Sequence, residues 1–286
     1  MSRALHDLLG EIERDRALLE PGRLRERGAA LDRLETLRIG APAAEAGLRD
    51  RIEALCAALE AVDGELHRSI RQDIRRGAGA QALLGHARAA GPDRDAAGAA
   101  AAGDSYDHLD TLVSGVLQIE APVGRLAGLA REMVFYQPTP ARHLFDLLAR
   151  TGLGADDVLI DLGSGLGQVA LIAAICSGAR CIGIEWEASY VQSARRCAQA
   201  LHLDRVSFVQ GDARTADLSA GTVFYLYTPF EGAMLREVLD RLKAEASTRE
   251  LRICTLGPCT ATVAREPWLQ PAGAWEPHRP AVFRNG

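Results

Sequence analysis

The sequence predicts an α/β fold, a parallel sheet wound with helices on both faces, behind an all-helical region. From residue 158 onward, short apolar runs alternate with helix-length amphipathic stretches, the pattern of a doubly wound sheet. Up to residue 76, leucines and alanines instead recur at three and four, which lines them up on single helix faces. Directly after the first strand the chain breaks into three alternating glycines, Gly163, Gly165 and Gly167.

Each element has its own signal. Residues 2–20, 23–39 and 43–76 are expected as helices, the last carrying Leu48, Ile52, Leu55, Leu59, Val62, Leu66 and Ile70 as a packing stripe. Pro21-Gly22 and Gly40-Ala41-Pro42 punctuate them, giving an antiparallel bundle or hairpin. Residues 77–104, rich in Gly, Ala and Arg, read as a flexible linker or a loop that orders on binding. A helix over Tyr106 to Ile119 stops at Ala121-Pro122, and another leads to Met133; these are expected to cap the open side of the sheet. A helix from about Ala141 to Arg150, with Leu144, Phe145 and Leu148 on one face, precedes the first strand. Strands follow at 158–162, 181–185, 206–210, 222–227 and 251–256, with helices to Ser177, at 188–202 and at 231–246. The run Ala281-Val282-Phe283 is expected to add a final antiparallel strand. The expected division is a helical domain over 1–130 and an α/β domain over 131–286.

Composition narrows the function classes. At 286 residues and 48% hydrophobic content, the chain holds enough apolar material for one large domain or two small ones. The net charge of −5 is spread along the chain and no basic tail appears, which argues against a nucleic-acid partner, since phosphate contacts need clustered cations. Cys56, Cys176, Cys181, Cys197, Cys254 and Cys259 lie mostly on apolar faces without a CxxC unit, as core residues in a reducing cytoplasm do. The histidines at 6, 67, 86, 108, 143, 202 and 278 have no ligand spacing, so no metal is expected. Met1 to Leu19 alternates charge with leucine, and no run is long enough to span a bilayer, so neither a leader nor a membrane partner is expected. The helical region leaves room for an oligomer.

The chemistry concentrates at the ends of the strands. In Val158-Leu159-Ile160-Asp161-Leu162-Gly163-Ser164-Gly165-Leu166-Gly167-Gln168, a strand ends on a carboxylate and then on a turn that lets backbone N–H groups approach a ligand. A pyrophosphate lying on that turn would face Asp161, which argues against a dinucleotide. Beside the cationic ammonium of S-adenosylmethionine the same aspartate is favourable. The second strand ends on Glu185, placed to accept from two ribose hydroxyls, with Trp186 next to it for the adenine. The third runs into Gly211-Asp212-Ala213, and the fourth into Tyr227-Thr228-Pro229-Phe230.

On these strings the stretch from Tyr136 to about Cys259 resembles class I S-adenosylmethionine-dependent methyltransferases. Within them, Asp161-Leu162-Gly163-Ser164-Gly165-Leu166-Gly167-Gln168 is most similar to the disruptor of telomeric silencing family, histone lysine methyltransferases without a SET domain. The resemblance implies a Rossmann-like class I methyltransferase sheet. It also implies that Tyr136-Gln137-Pro138-Thr139 closes over the methionine end of the cofactor, with Tyr136 over the methionine and Thr139 at its carboxylate. Gln168 would touch the cofactor, and Gly211, Asp212 and Ala213 would read the adenine. Read locally, Thr139 is an N-cap with Pro140 in the first helical turn. Tyr227-Thr228-Pro229-Phe230 departs from that family and is closer to the Asn/Asp-Pro-Pro-Tyr/Phe box of amino-group methyltransferases.

The expected activity is therefore methyl transfer from S-adenosylmethionine to a nitrogen, in a protein side chain or a small metabolite. Tyr227, Thr228 and Pro229 would orient the acceptor, with Phe230 packed on it. Glu120 and Asp104 are further acid-base candidates from the cap. Two rivals are an oxygen-directed small-molecule methyltransferase of a biosynthetic pathway and a regulatory protein that binds the cofactor without turnover.

Overall fold

Leu159, Ile160 and Leu162 are fully excluded from solvent, because β1 (Val158–Leu162) runs through the interior of a seven-stranded sheet. The computed structural model describes residues 2–40, 46–90, 107–120, 122 and 132–286. The other strands are β2 (Arg180–Glu185), β3 (Val206–Gln210), β4 (Val223–Tyr227), β5 (Arg252–Leu256), β6 (Leu269–Pro271) and β7 (Ala281–Asn285). Their order is β3-β2-β1-β4-β5-β7-β6, with the first five parallel and β7 antiparallel to β5. The direction of winding reverses between β1 and β4, and in open sheets a ligand crevice forms at that reversal. β6, which no sequence pattern predicts, is a three-residue edge strand where Pro271 is tolerated.

Strand alternation sorts the side chains onto two faces. Leu159, Cys181, Tyr225 and Cys254 join a cluster with α6 (Ala141–Thr151), α7 (Gln168–Ser177) and α8 (Ala188–Ala200). Ile160, Leu162, Phe224, Leu226 and Ile253 face α9 (Gly232–Ala246) and α10 (Cys259–Val263) on the other side.

The preceding helices are α1 (Ser2–Arg14), α2 (Leu24–Gly40), α3 (Ala46–Arg75), α4 (Gly79–Ala90) and α5 (His108–Leu117). Arg27, wholly buried, ties α2 to α3: its Nε donates to Asp63 at 2.7 Å and its Nη1 to the carbonyls of Leu18 and Glu20 at 2.9 and 2.8 Å. A buried charge is tolerated when it is paired and its donors are satisfied in this way.

The linker expected over 77–104 is corrected in its first half, where α4 is a helix. Alanine is the strongest helix former, and small residues let α4 approach α7, itself rich in buried alanine at 170, 173 and 174. Residues 91–104, with Asp104, lie outside the described residues. Leu83 on α4 is wholly buried. Leu83→Ala is expected to cost about 2–5 kcal/mol, read as a lower denaturation midpoint in urea.

The helix expected to end at Met133 falls largely outside the described residues, and Met133 itself forms an isolated antiparallel bridge with Phe230. Val134 N donates to Pro229 O at 3.1 Å and Glu231 N to Glu132 O at 2.9 Å. Residues 132–134 therefore clasp the loop that follows β4. Among the described residues no helix is long and apolar enough to cross a membrane.

Candidate active site

A cavity of about 900 Å3 opens at the carboxyl ends of β1, β2, β4 and β5, where the residues singled out in the sequence converge. Ligand pockets run to roughly 300–1,000 Å3, so this one is large. The glycine turn forms its floor. Gly163 and Gly165 have φ of 79° and 53°, the left-handed region that favours glycine. A methyl group at Gly163 would fall 2.3 Å from the Pro229 side chain, and one at Gly165 would fall 2.1 Å from the Tyr136 ring. The turn is tied to β2 by Gly163 N and Ser164 N, both donating to Ile184 O at 2.9 and 3.0 Å.

Asp161 lines the cavity at 3% exposure, and among the described residues nothing donates to its carboxylate. Burial, reinforced by the charge of Glu185, pushes its carboxyl up to about 8. The Ser164 hydroxyl, also on the cavity wall, is buried without a partner.

Glu185 is held in place by two backbone donors, Gly165 N and Glu187 N, each at 2.8 Å. Burial raises its carboxyl, and those two hydrogen bonds oppose the rise. Trp186 lies on the same wall, 43% exposed. Gly211, Asp212 and Ala213 reach the cavity too. The Asp212 carboxylate is already engaged by Arg214, with Nη2 at 2.7 Å, which holds it below its ordinary range. The loop thus lines the cavity, while the acidic group is committed to a neighbour two residues away.

Tyr136 leans on Gly165 and packs against Tyr190, their ring centroids 5.3 Å apart. Thr139 is not the N-cap of α6. That position belongs to Pro140, without a side-chain cap, and Asp110 accepts from Ala141 N at 2.8 Å instead. The Thr139 hydroxyl turns inward to Tyr225, 3.1 Å away, and Gln168 Nε2 donates to Thr139 O at 3.3 Å. Tyr225 escaped the sequence reading, although period two places it on the same face as Tyr227 and it pairs in register with Asp161.

Tyr227, Thr228 and Pro229 all line the cavity. Thr228 has φ of 38°, rare for a β-branched residue and costly unless the surroundings enforce it. Its hydroxyl does so, donating to Leu256 O at 3.0 Å and accepting from Cys259 N at 3.2 Å, so it is occupied by β5 and α10. The Pro229 carbonyl, expected to help orient an acceptor, is taken by Val134 N. Glu120 is not on the cavity wall and pairs with Arg196 at 2.8 Å. Pro277 and His278 also reach the site, because Pro277 O accepts from Gly257 N at 2.7 Å beyond the end of β5. That approach depends on the pairing of β7, the antiparallel strand expected from Ala281-Val282-Phe283, with β5.

Residues 153–249 match the model of a family described as a methyltransferase domain, and they span β1 to β4 with α9. This stretch is a methyltransferase domain. Among solved structures, this chain is similar to an RNA methyltransferase from Salinibacter ruber in complex with S-adenosyl-L-homocysteine, at 28% identity over 52% of this chain and 92% of that chain, TM-score 0.43. It is also similar to a S-adenosylmethionine-dependent methyltransferase from Thiobacillus denitrificans in complex with S-adenosyl-L-homocysteine, at 25% identity over 40% of this chain and 46% of that chain, TM-score 0.33. A third is the precorrin-6y C5,15-methyltransferase from Geobacter metallireducens GS-15, at 19% identity over 53% of this chain and 90% of that chain, TM-score 0.40. No curated protein matches the chain.

Proposed function

We propose that this methyltransferase passes the methyl group of S-adenosylmethionine to a nitrogen, in a protein side chain or a small metabolite. One observation carries the cofactor assignment: Asp161, a buried carboxylate on the cavity wall to which nothing among the described residues donates. Burial keeps such a group protonated until a cation meets it, and the cofactor's ammonium is that cation. The unpartnered Ser164 hydroxyl beside it asks for a polar ligand as well.

The residues that would hold the cofactor follow from their positions. Asp161 takes the ammonium, with Tyr136, Thr139 and Gln168 around the methionine end. Gly163, Ser164 and Gly165 bring backbone close. Glu185 takes the ribose hydroxyls, Trp186 lies against the adenine, and Gly211, Asp212 and Ala213 border it. When bound, S-adenosylmethionine supplies an electrophilic methyl group on a sulfonium. What the chain adds is alignment, with Tyr227, Thr228 and Pro229 shaping the acceptor side, and positioning alone is worth effective molarities of about 10⁵ M or more. A nitrogen acceptor is supported by the wall, which among the described residues carries five carboxyl groups and no arginine or lysine. The resemblance to the disruptor of telomeric silencing family stops short of the segment after β4, so no histone substrate is assigned. The proposal includes a cytoplasmic location, a helical domain over 1–130 and a catalytic domain over 131–286, the two sharing one apolar cluster on the α7 side of the sheet.

Calorimetry with S-adenosylhomocysteine tests the cofactor site. Glu185→Gln places an amide NH2 against the N–H of Gly165 or Glu187, so the affinity is expected to fall about 10- to 100-fold. Equal binding by Glu185→Gln and by an Asp161→Ala, Glu185→Ala double variant would refute the assignment.

A further inference from the structure

The cavity continues past the glycine turn, over the ends of β4 and β5, where Tyr227, Phe230, Met234 and Leu256 wall its second half. Phe135 and Val134, on the clasping segment, belong to the same wall and are 84% and 43% exposed. The fold gains nothing from leaving a phenylalanine that bare, and clustered apolar exposure at a cavity marks a contact surface. At about 900 Å3 the cavity has room for a second molecule beside a nucleoside cofactor.

The charges of this wall select the visitor. Glu231 lines this half, and Asp161, Glu185, Glu187 and Asp212 line the other, and among the described residues no arginine or lysine lines either. Among the described residues, Arg214 pairs with Asp212 and Glu237, and Arg236 pairs with Asp240 and Glu266. His278 Nε2 stands 2.9 Å from the Glu276 carboxylate. An acceptor bearing phosphate or carboxylate would meet carboxyl groups and, among the described residues, no cationic partner. An ammonium would meet a carboxylate and aromatic side chains, its apolar body would meet Phe230, Met234 and Leu256, and it would give a proton to that carboxylate to free the lone pair that takes the methyl group.

We propose that this half of the cavity is the binding site of a small amine carried on an aromatic or alkyl body, and that it rejects anionic acceptors. This rests on the nitrogen-directed reading above and narrows it to a substrate class.

The full chain, saturated with S-adenosylhomocysteine, is titrated calorimetrically with phenethylamine, 3-phenylpropionate and phenyl phosphate. Phenethylamine is expected to bind saturably and about tenfold or more tighter than either anion. Phe135→Ala and Glu231→Gln are each expected to weaken it roughly threefold. The absence of saturable phenethylamine binding, an anion that binds as tightly, or unchanged binding by the Phe135→Ala, Glu231→Gln double variant overturns the proposal. If S-adenosylhomocysteine still binds in those cases, only the acceptor class falls. If the unsubstituted chain fails to bind S-adenosylhomocysteine, the cofactor reading falls and this proposal with it.

Discussion

Asp161→Asn will remove most of the affinity for the cofactor while making the ligand-free protein more stable at alkaline pH. Burial lifts the Asp161 carboxyl to about 8, with a smaller push from Glu185, so the folded state holds this proton far more tightly than the unfolded chain does. A group raised on folding contributes its full stability below its unfolded value, near about 4, and loses it as the pH climbs through about 8. The asparagine carries no charge at any pH, so at pH 8 the variant should gain about 2 kcal/mol or more over the unsubstituted protein. Thermal melts at pH 5 and pH 8 would show this as a gap that widens with pH.

Binding reverses the sign. An ammonium against Asp161 favours the carboxylate, so below about pH 8 the cofactor must drive off the proton first. The affinity for S-adenosylhomocysteine should therefore rise about tenfold per pH unit up to about 8 and then flatten. Removing one member of a buried charge pair costs about 2–5 kcal/mol of affinity. Asp161→Asn should bind weakly and lose the pH dependence. Calorimetry in two buffers of different ionisation enthalpy counts the released proton directly. Affinity that stays level from pH 6 to pH 8 in the unsubstituted protein would show that Asp161 meets no cation.

Gly165→Ala is the second large effect. With φ of 53°, the position charges any residue with a Cβ about 1–2 kcal/mol of backbone strain. The new methyl would also stand 2.1 Å from the Tyr136 ring, which is itself packed on Tyr190. Either the ring leaves the cavity wall or the turn shifts and loses the bond from Gly165 N to Glu185. Both routes spoil the methionine and ribose ends together, and the affinity for S-adenosylhomocysteine should drop about 100-fold, or roughly 2–3 kcal/mol. Gly178→Ala is the control, since it has a similar φ of 73° with nothing within 4 Å of its Cβ. It should carry the strain but keep the affinity. Equal losses in both variants would assign the effect to general destabilisation and remove Tyr136 from the site.

What the sequence made legible was what is local. The five parallel strands stand within a residue or two of their expected bounds because each is a short apolar run between turn residues. Asp161, the glycine turn and Glu185 were readable because each sits at a strand end, where the fold class alone predicts a ligand. Groups that meet across the fold were not. The Thr139 hydroxyl finds Tyr225 from 86 positions away, so its capping signal misled. Pro277 and His278 arrive only because β7 folds back onto β5. Arg214 occupying Asp212 is a choice between partners that spacing does not decide. The helix α4 was hidden by composition, since alanine and glycine serve linkers and closely packed helices alike.

The apolar cluster on the α7 side of the sheet has a thermodynamic consequence. Leu24, Ile70, Leu83 and Leu112, from four helices before residue 130, belong to it together with Val169 and Tyr225, which line the cavity. Side chains that share one interior lose their shelter together, so those helices and the ligand site open as a single cooperative unit. Occupancy at the end of β1 then lends its binding free energy to helices that never touch the ligand, and damage to them is repaid as weaker binding.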